Sequence, residues 1–212
     1  MHISEIFYSI QGEGIYTGVP MVFVRFQGCP FQCAWCDTEY TWDFGGGSEM
    51  SLDAVVAQVA RWPAKRVCVT GGEPLAHARD FAALTQALNG HGYWIEVETA
   101  GGHRLPMDLP IDCWVMDVKC PGSGMERFNK YGEVAVLRSQ DQLKFVVADR
   151  ADFDFALGVI QEHRPVCHIL FAPVWGSVYP TDLTEWVKGE SVDARVSLQV
   201  HKLIWDPSKR GV

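Results

Sequence analysis

The sequence predicts an α/β fold, a partial and open (β/α) barrel of about six parallel strands, on three observations. Runs rich in Val, Ile and Phe alternate with helical patterns, the signature of a mainly parallel sheet. The unusual polar residues fall at the ends of those runs, and the C-terminal edge of a parallel sheet is where ligands bind. The chain has 212 residues, short of the roughly 250 that a full eight-unit barrel takes.

Taken in order, strands are expected at 3–10, 21–28, 65–72, 94–99, 114–119, 142–148, 168–175 and 195–200. Helices are expected at 51–62, 79–92, 151–163 and 181–189. Ser51 is a suitable N-cap for the first, and Leu52, Val55, Val56 and Val59 share one face of it. The second runs apolar through Phe81, Leu84 and Leu88 and stops at Gly90 and Gly92; the last ends on Gly189. Segment 124–138 has no clear pattern. Two long loops remain, 27–50 and 100–112, and structureless loops of that length in a compact domain are usually functional. No repeat or linker divides the chain, so one domain spanning 1–212 is expected.

The net charge of −8 argues against a general nucleic-acid binder, which would be basic. No apolar run reaches the roughly 18 residues of a membrane helix, so no membrane partner is expected. MHISEIFYSIQ lacks the basic head and apolar stretch of an export signal. A cytoplasmic, reducing location is therefore expected, where seven unevenly spread cysteines read as metal or catalysis rather than disulfides.

Three of those cysteines, Cys29, Cys33 and Cys36, are spaced C-x3-C-x2-C within CPFQCAWCDTEYTW. Thiolates suit zinc, copper(I) or iron–sulfur clusters. A Cys3His zinc site would need a local histidine, and none lies between His2 and His77. A thioredoxin-type pair from Cys33 and Cys36 would leave Cys29 idle. A four-iron cubane ordinarily takes four cysteines. With three, one iron keeps an open position, as a catalytic metal requires. Cys68, Cys113, Cys120 and Cys167 sit in or beside apolar strands and read as core.

C-x3-C-x2-C on a loop after an early strand resembles the radical S-adenosylmethionine (SAM) enzymes, and Gly71-Gly72-Glu73-Pro74 resembles their Gly-Gly-Glu motif. That resemblance implies a modified radical SAM core. It also implies a [4Fe-4S] cluster whose open iron is chelated by SAM, cleaved to a 5′-deoxyadenosyl radical that abstracts a substrate hydrogen. The chemistry agrees, since glycine lets a backbone approach a ligand and a carboxylate suits an ammonium. EIFYSIQGEG at 5–14, Arg25 in FVRFQGC, the CDT after Cys36 and the late QVHK at 199–202 together resemble the 7-carboxy-7-deazaguanine synthases, over residues 5 to about 207. These are lyases that rearrange 6-carboxy-5,6,7,8-tetrahydropterin with loss of ammonia, on the way to queuosine and other 7-deazapurines. The resemblance further implies Mg²⁺, a homodimer and a flavodoxin-like or other electron donor.

Residue by residue, the resemblance puts Ile10, Gln11, Gly12, Thr70 and Pro207 at the pterin and Arg25 on its carboxylate, a bidentate pairing that suits a guanidinium. It makes Thr38 the Mg²⁺ ligand, with Asp37 supporting it. Gly72, Glu73, Glu98, Asp117, Val118, Lys119, Ala172, Pro173, Val174 and Trp175 fall on the SAM side. Some have a plainer reading: QGEG as an ordinary loop, Arg25 facing solvent, Asp37-Thr38 as a turn, Val174 and Trp175 as packing. Ser208 to Val212 follow Pro207, so Pro207 offers no terminal carboxylate. Two rivals stay open: an activase of glycyl-radical enzymes, which needs neither QGEG nor Arg25, and a non-catalytic metal-stabilised binding domain.

Overall fold

The computed structural model describes all 212 residues. Its strands are β1 (His2–Ile10), β2 (Pro20–Phe26), β3 (Ser48–Glu49), β4 (Arg66–Gly71), β5 (Trp94–Thr99), β6 (Cys113–Asp117), β7 (Gln142–Val147), β8 (His168–Pro173) and β9 (Ala194–Val196). They form one sheet in the order β3-β1-β2-β4-β5-β6-β7-β8-β9. Neighbours from β2 to β9 are all parallel, whereas β1 runs antiparallel to both β2 and β3. The short link from Ile10 to Pro20 permits the antiparallel pair; parallel neighbours need a longer crossover. Six strands of five to seven residues make the parallel sheet, as expected, and β9 adds a seventh of three residues.

Helices α1 (Leu52–Val59), α2 (Ala78–Gly90), α3 (Arg150–His163) and α4 (Pro180–Gly189) lie in the crossovers, and a short α5 (His201–Ile204) comes near the end. The Ser51 side chain caps α1 by accepting from the Ala54 N–H at 3.2 Å, and Asp149 caps α3 from the Asp152 N–H at 2.9 Å. Segment 124–138 consists of short 3₁₀ pieces. The expected strand 195–200 is mostly not a strand. After Val196 the chain curls over the sheet, where Ser197 Oγ accepts from Gly14 N–H and Val200 N–H donates to the Gly12 carbonyl. Tertiary bonds to the QGEG loop replace the missing ladder, because β9 is an edge.

Alternation along the strands decides what faces where. Val22, Val24, Val67, Val69, Ile95, Val97, Trp114, Met116, Leu143, Phe145, Ile169 and Phe171 belong to one buried apolar cluster with the helix residues Val55, Leu84, Phe153 and Leu183. The intervening residues face the concave side: Arg25 on β2, Thr70 on β4, Glu98 on β5, Asp117 on β6 and Lys144 on β7, all on the wall of one cavity. A parallel sheet covered on both faces is ordinarily apolar on both. Here the inner face turns polar towards the C-terminal strand ends, which marks it as the working face.

Candidate functional site

The cavity over those strand ends holds about 820 Å³. Cys29, Cys33 and Cys36 line it, all three are free thiols, and no other cysteine reaches the wall. Their loop is held from both sides. Cys29 N–H donates to the Trp42 carbonyl, Ala34 N–H to Ser123, and Cys36 N–H to Cys33. Gly72 packs directly on the loop, where a Cβ would collide with the Gly28 carbonyl oxygen and the Cys29 Cβ. Only glycine fits there. Burial pushes the Cys29 thiol up to about 12, and burial also raises Cys33. Both therefore stay protonated until a metal displaces the proton. Three convergent thiols without a fourth protein sulfur fit a four-iron cluster that keeps one iron open for SAM.

Glu73 does not present its carboxylate to this cavity, contrary to the expectation of a SAM contact from its side chain. It is fully buried and accepts from Leu75 N–H at 2.9 Å, Ala100 N–H at 2.7 Å and the Thr99 hydroxyl at 2.9 Å. Burial nonetheless raises it to about 6, with those hydrogen bonds pulling the other way. It ties the end of β5 to the turn after β4. Val118 is likewise off the wall. Its side chain is 3 % exposed and belongs to the apolar cluster, since it alternates away from its neighbours Asp117 and Lys119.

The other expected residues do meet at the cavity: Ile10, Gln11, Gly12, Arg25, Thr38, Thr70, Gly72, Glu98, Asp117, Lys119, Ala172, Pro173, Val174, Trp175 and Pro207. Thr70 Oγ1 donates to Glu98 at 2.9 Å, and Gln11 Nε2 donates to Glu98 at 3.2 Å and also to Glu96 below it. Asp117 carries two ammonium groups, Lys119 at 2.6 Å and Lys144 at 3.3 Å. Burial alone would lower Lys119, but Asp117 outweighs it and raises the lysine above its usual range. Asp117 is correspondingly held low: desolvation would raise it, and the two lysines more than compensate.

Sequence reasoning left several wall residues unassigned. Lys144 donates to Glu13 at 3.2 Å, Glu13 accepts from Gln199 at 2.9 Å, and Gln199 reaches Asp37 at 3.3 Å. Lys202 closes this chain of contacts on Asp37 at 2.7 Å. Against the cost of desolvation, Lys202 holds the Asp37 carboxyl below its usual value. Asp37 is thus occupied with the C-terminal segment, which leaves the neighbouring Thr38 hydroxyl, 3.6 Å from Cys36 Sγ, as the oxygen beside the thiols. A Cβ on Gly12 would run into the His201 ring, so the QGEG loop and the late His-Lys segment are packed face to face. The available signal was a lysine in the middle of the apolar run QLKFVV and the match at Gln199-Val200-His201-Lys202. Six basic side chains share this wall with five acidic ones, and several are already paired, as Lys119 and Lys144 are with Asp117 and Lys202 with Asp37.

The open parallel sheet and its three-thiol cavity define a radical SAM enzyme, and the family model described as "Radical SAM superfamily" matches residues 23–109. The 7-carboxy-7-deazaguanine synthase of Koribacter versatilis is 39% identical over the whole of both chains. That of Chlorobaculum tepidum is 37% identical over 100% of this chain and 97% of its own. The crystal structure of QueE from Escherichia coli superposes with a TM-score of 0.68 at 27% identity, covering 93% of each chain. The chain belongs to the 7-carboxy-7-deazaguanine synthase family. As a radical SAM enzyme it works with a [4Fe-4S] cluster and SAM, for which Cys29, Cys33 and Cys36 are the thiols at hand.

Proposed function

We propose that this enzyme converts 6-carboxy-5,6,7,8-tetrahydropterin to 7-carboxy-7-deazaguanine with loss of ammonia, a step toward queuosine and other 7-deazapurines. The observation that carries this is Arg25. It lies on the same cavity wall as the three thiols and spends only its Nε, at 2.9 Å, on Glu5. Its two terminal nitrogens are left to grip a carboxylate as a fork. Neither rival reading calls for a carboxylate fork beside the cluster.

When bound, the cluster and SAM supply a carbon-centred radical for hydrogen abstraction. The chain's own residues position what reacts. Cys29, Cys33 and Cys36 hold the cluster, and Gly72 gives the backbone room beside it. Glu98, Asp117, Lys119 and the Ala172–Trp175 strand end line the SAM side. Ile10, Gln11, Gly12, Thr70 and Pro207 border the pterin. Thr38 offers one oxygen to a Mg²⁺ ion, which usually keeps several waters and a substrate oxygen besides. The Asp37–Lys202 pair orients the Thr38 loop rather than ligating. Gln11, whose amide is fixed by Glu96 and Glu98, presents a preset face to the ring.

The test is an anaerobic assay with SAM, reductant and the carboxytetrahydropterin. A deazaguanine product that disappears with any of the three cysteines is expected. A protein with a full complement of iron and sulfide that yields no such product refutes the assignment. The same reading includes a single domain over 1–212, supported by one sheet and one main apolar cluster. It includes a homodimer, checked by the mass in solution. It includes a cytoplasmic enzyme, supported by seven unpaired cysteines, which suit a reducing compartment, and a flavodoxin-like or other electron donor. No helix is long and apolar enough to cross a membrane.

A further inference from the structure

We propose that Arg210 is a second carboxylate-binding arginine, which forms with Arg25 a two-guanidinium clamp on the substrate's carboxylate. The inference rests on the reading of the substrate as a carboxypterin. Residues 207 to 212 line the cavity, although 207 to 211 are exposed and the Arg210 side chain is 53 % exposed. Within them, the Arg210 guanidinium lies 3.6 Å from the centroid of the Tyr40 ring. That distance is well inside the range of a cation–π contact. Its Nη2 is 3.8 Å from Glu5 Oε2.

Glu5 is the common anchor. Its other oxygen, Oε1, accepts from Arg25 Nε at 2.9 Å and from the Tyr40 hydroxyl at 2.8 Å. One carboxylate therefore serves two guanidinium groups. Arg25 has side-chain exposure of 16 %, and its two terminal nitrogens have no hydrogen-bond partner within the chain. Arg210 makes no hydrogen bond within the chain at all. Two sets of unspent donors thus border one cavity at one corner, held there by Tyr40 and Glu5. A ligand carboxylate at that corner supplies the missing acceptors. Arg210 comes from the far end of the chain, so seating the carboxylate also fastens the tail over the cavity mouth.

The experiment measures binding to the anaerobic, cluster-loaded protein in the presence of SAM. The two probes are pterin-6-carboxylate and unsubstituted pterin, titrated calorimetrically against the parent, Arg210→Gln, Arg210→Lys and Arg25→Gln. The parent is expected to prefer the carboxylated probe. Arg210→Gln is expected to weaken that probe about tenfold and leave the neutral one unchanged, with Arg210→Lys recovering part of the loss. In turnover, Arg210→Gln raises KM far more than it lowers kcat. Loss in Arg25→Gln with parental binding in Arg210→Gln overturns the clamp and leaves the substrate reading standing. Equal loss of both probes in Arg210→Gln also overturns it, since the tail would then be a wall without charge recognition. A parent that does not distinguish the probes, and no effect of either arginine, refutes the carboxylate site itself.

Discussion

Glu96 offers a quantitative test of how the sheet interior is built. It sits on β5 one alternation below Glu98 and is 1 % exposed. Gln11 Nε2 donates to its Oε1, and Gln142 Nε2 approaches Oε2 at 3.4 Å. Burial, reinforced by the like charge of Glu98, pushes its carboxyl from the ordinary 4.5 up to about 8. Below pH 4.5 the folded and unfolded chains both hold this proton, and the group costs nothing. Between pH 4.5 and pH 8 the unfolded chain releases the proton and the folded chain keeps it, so stability falls as pH rises. Above pH 8 the full cost is present. Integrated from pH 6 to pH 8, the loss is about 2 kcal/mol, or about 4–8 °C in Tm for a chain of this length. Glu96→Gln keeps the shape, stays neutral and retains an acceptor for Gln11. Anaerobic thermal unfolding at pH 6 and pH 8 is the assay. The variant is expected to lose about 4–8 °C less than the parent across that interval. Parallel pH trends in the two proteins would show that Glu96 is ionised in the fold and refute the reasoning.

Other outcomes follow from the same contacts. Glu73→Ala strips partners from two backbone N–H groups and one hydroxyl, and is expected to cost about 3 kcal/mol or more, read as a drop in urea midpoint. Gly72→Ala forces the Cys29 loop aside, and is expected to lower iron and sulfide per chain after reconstitution while the secondary structure stays intact. Thr38→Ala is expected to blunt the response of activity to Mg²⁺ while cluster content stays at the parental level. Equal loss of both would contradict its role as the Mg²⁺ ligand.

Much of this protein is legible in its sequence because the deciding interactions are local. The cysteine spacing, the Gly-Gly pair, the Ser51 cap and the alternation of apolar residues act within a few positions, and they led to the α/β class, the parallel sheet and the thiol loop. Strand alternation, read one step further, would also have exposed Glu96 and Lys144 as inward-facing charges in apolar runs. What tertiary structure alone decided is how the polar side chains are shared out. Glu73 turned from ligand to brace because Thr99 and Ala100 arrive from the next strand. Asp37 was taken by Lys202, 165 positions away, and Glu5 was met by Arg210 from the opposite end of the chain. Short-range spacing cannot encode such pairings, since each depends on where two distant strand ends lie once the sheet has curved. The sequence by itself determined what chemistry is present; the fold decided which groups stay available for it and which are consumed in holding the cavity together.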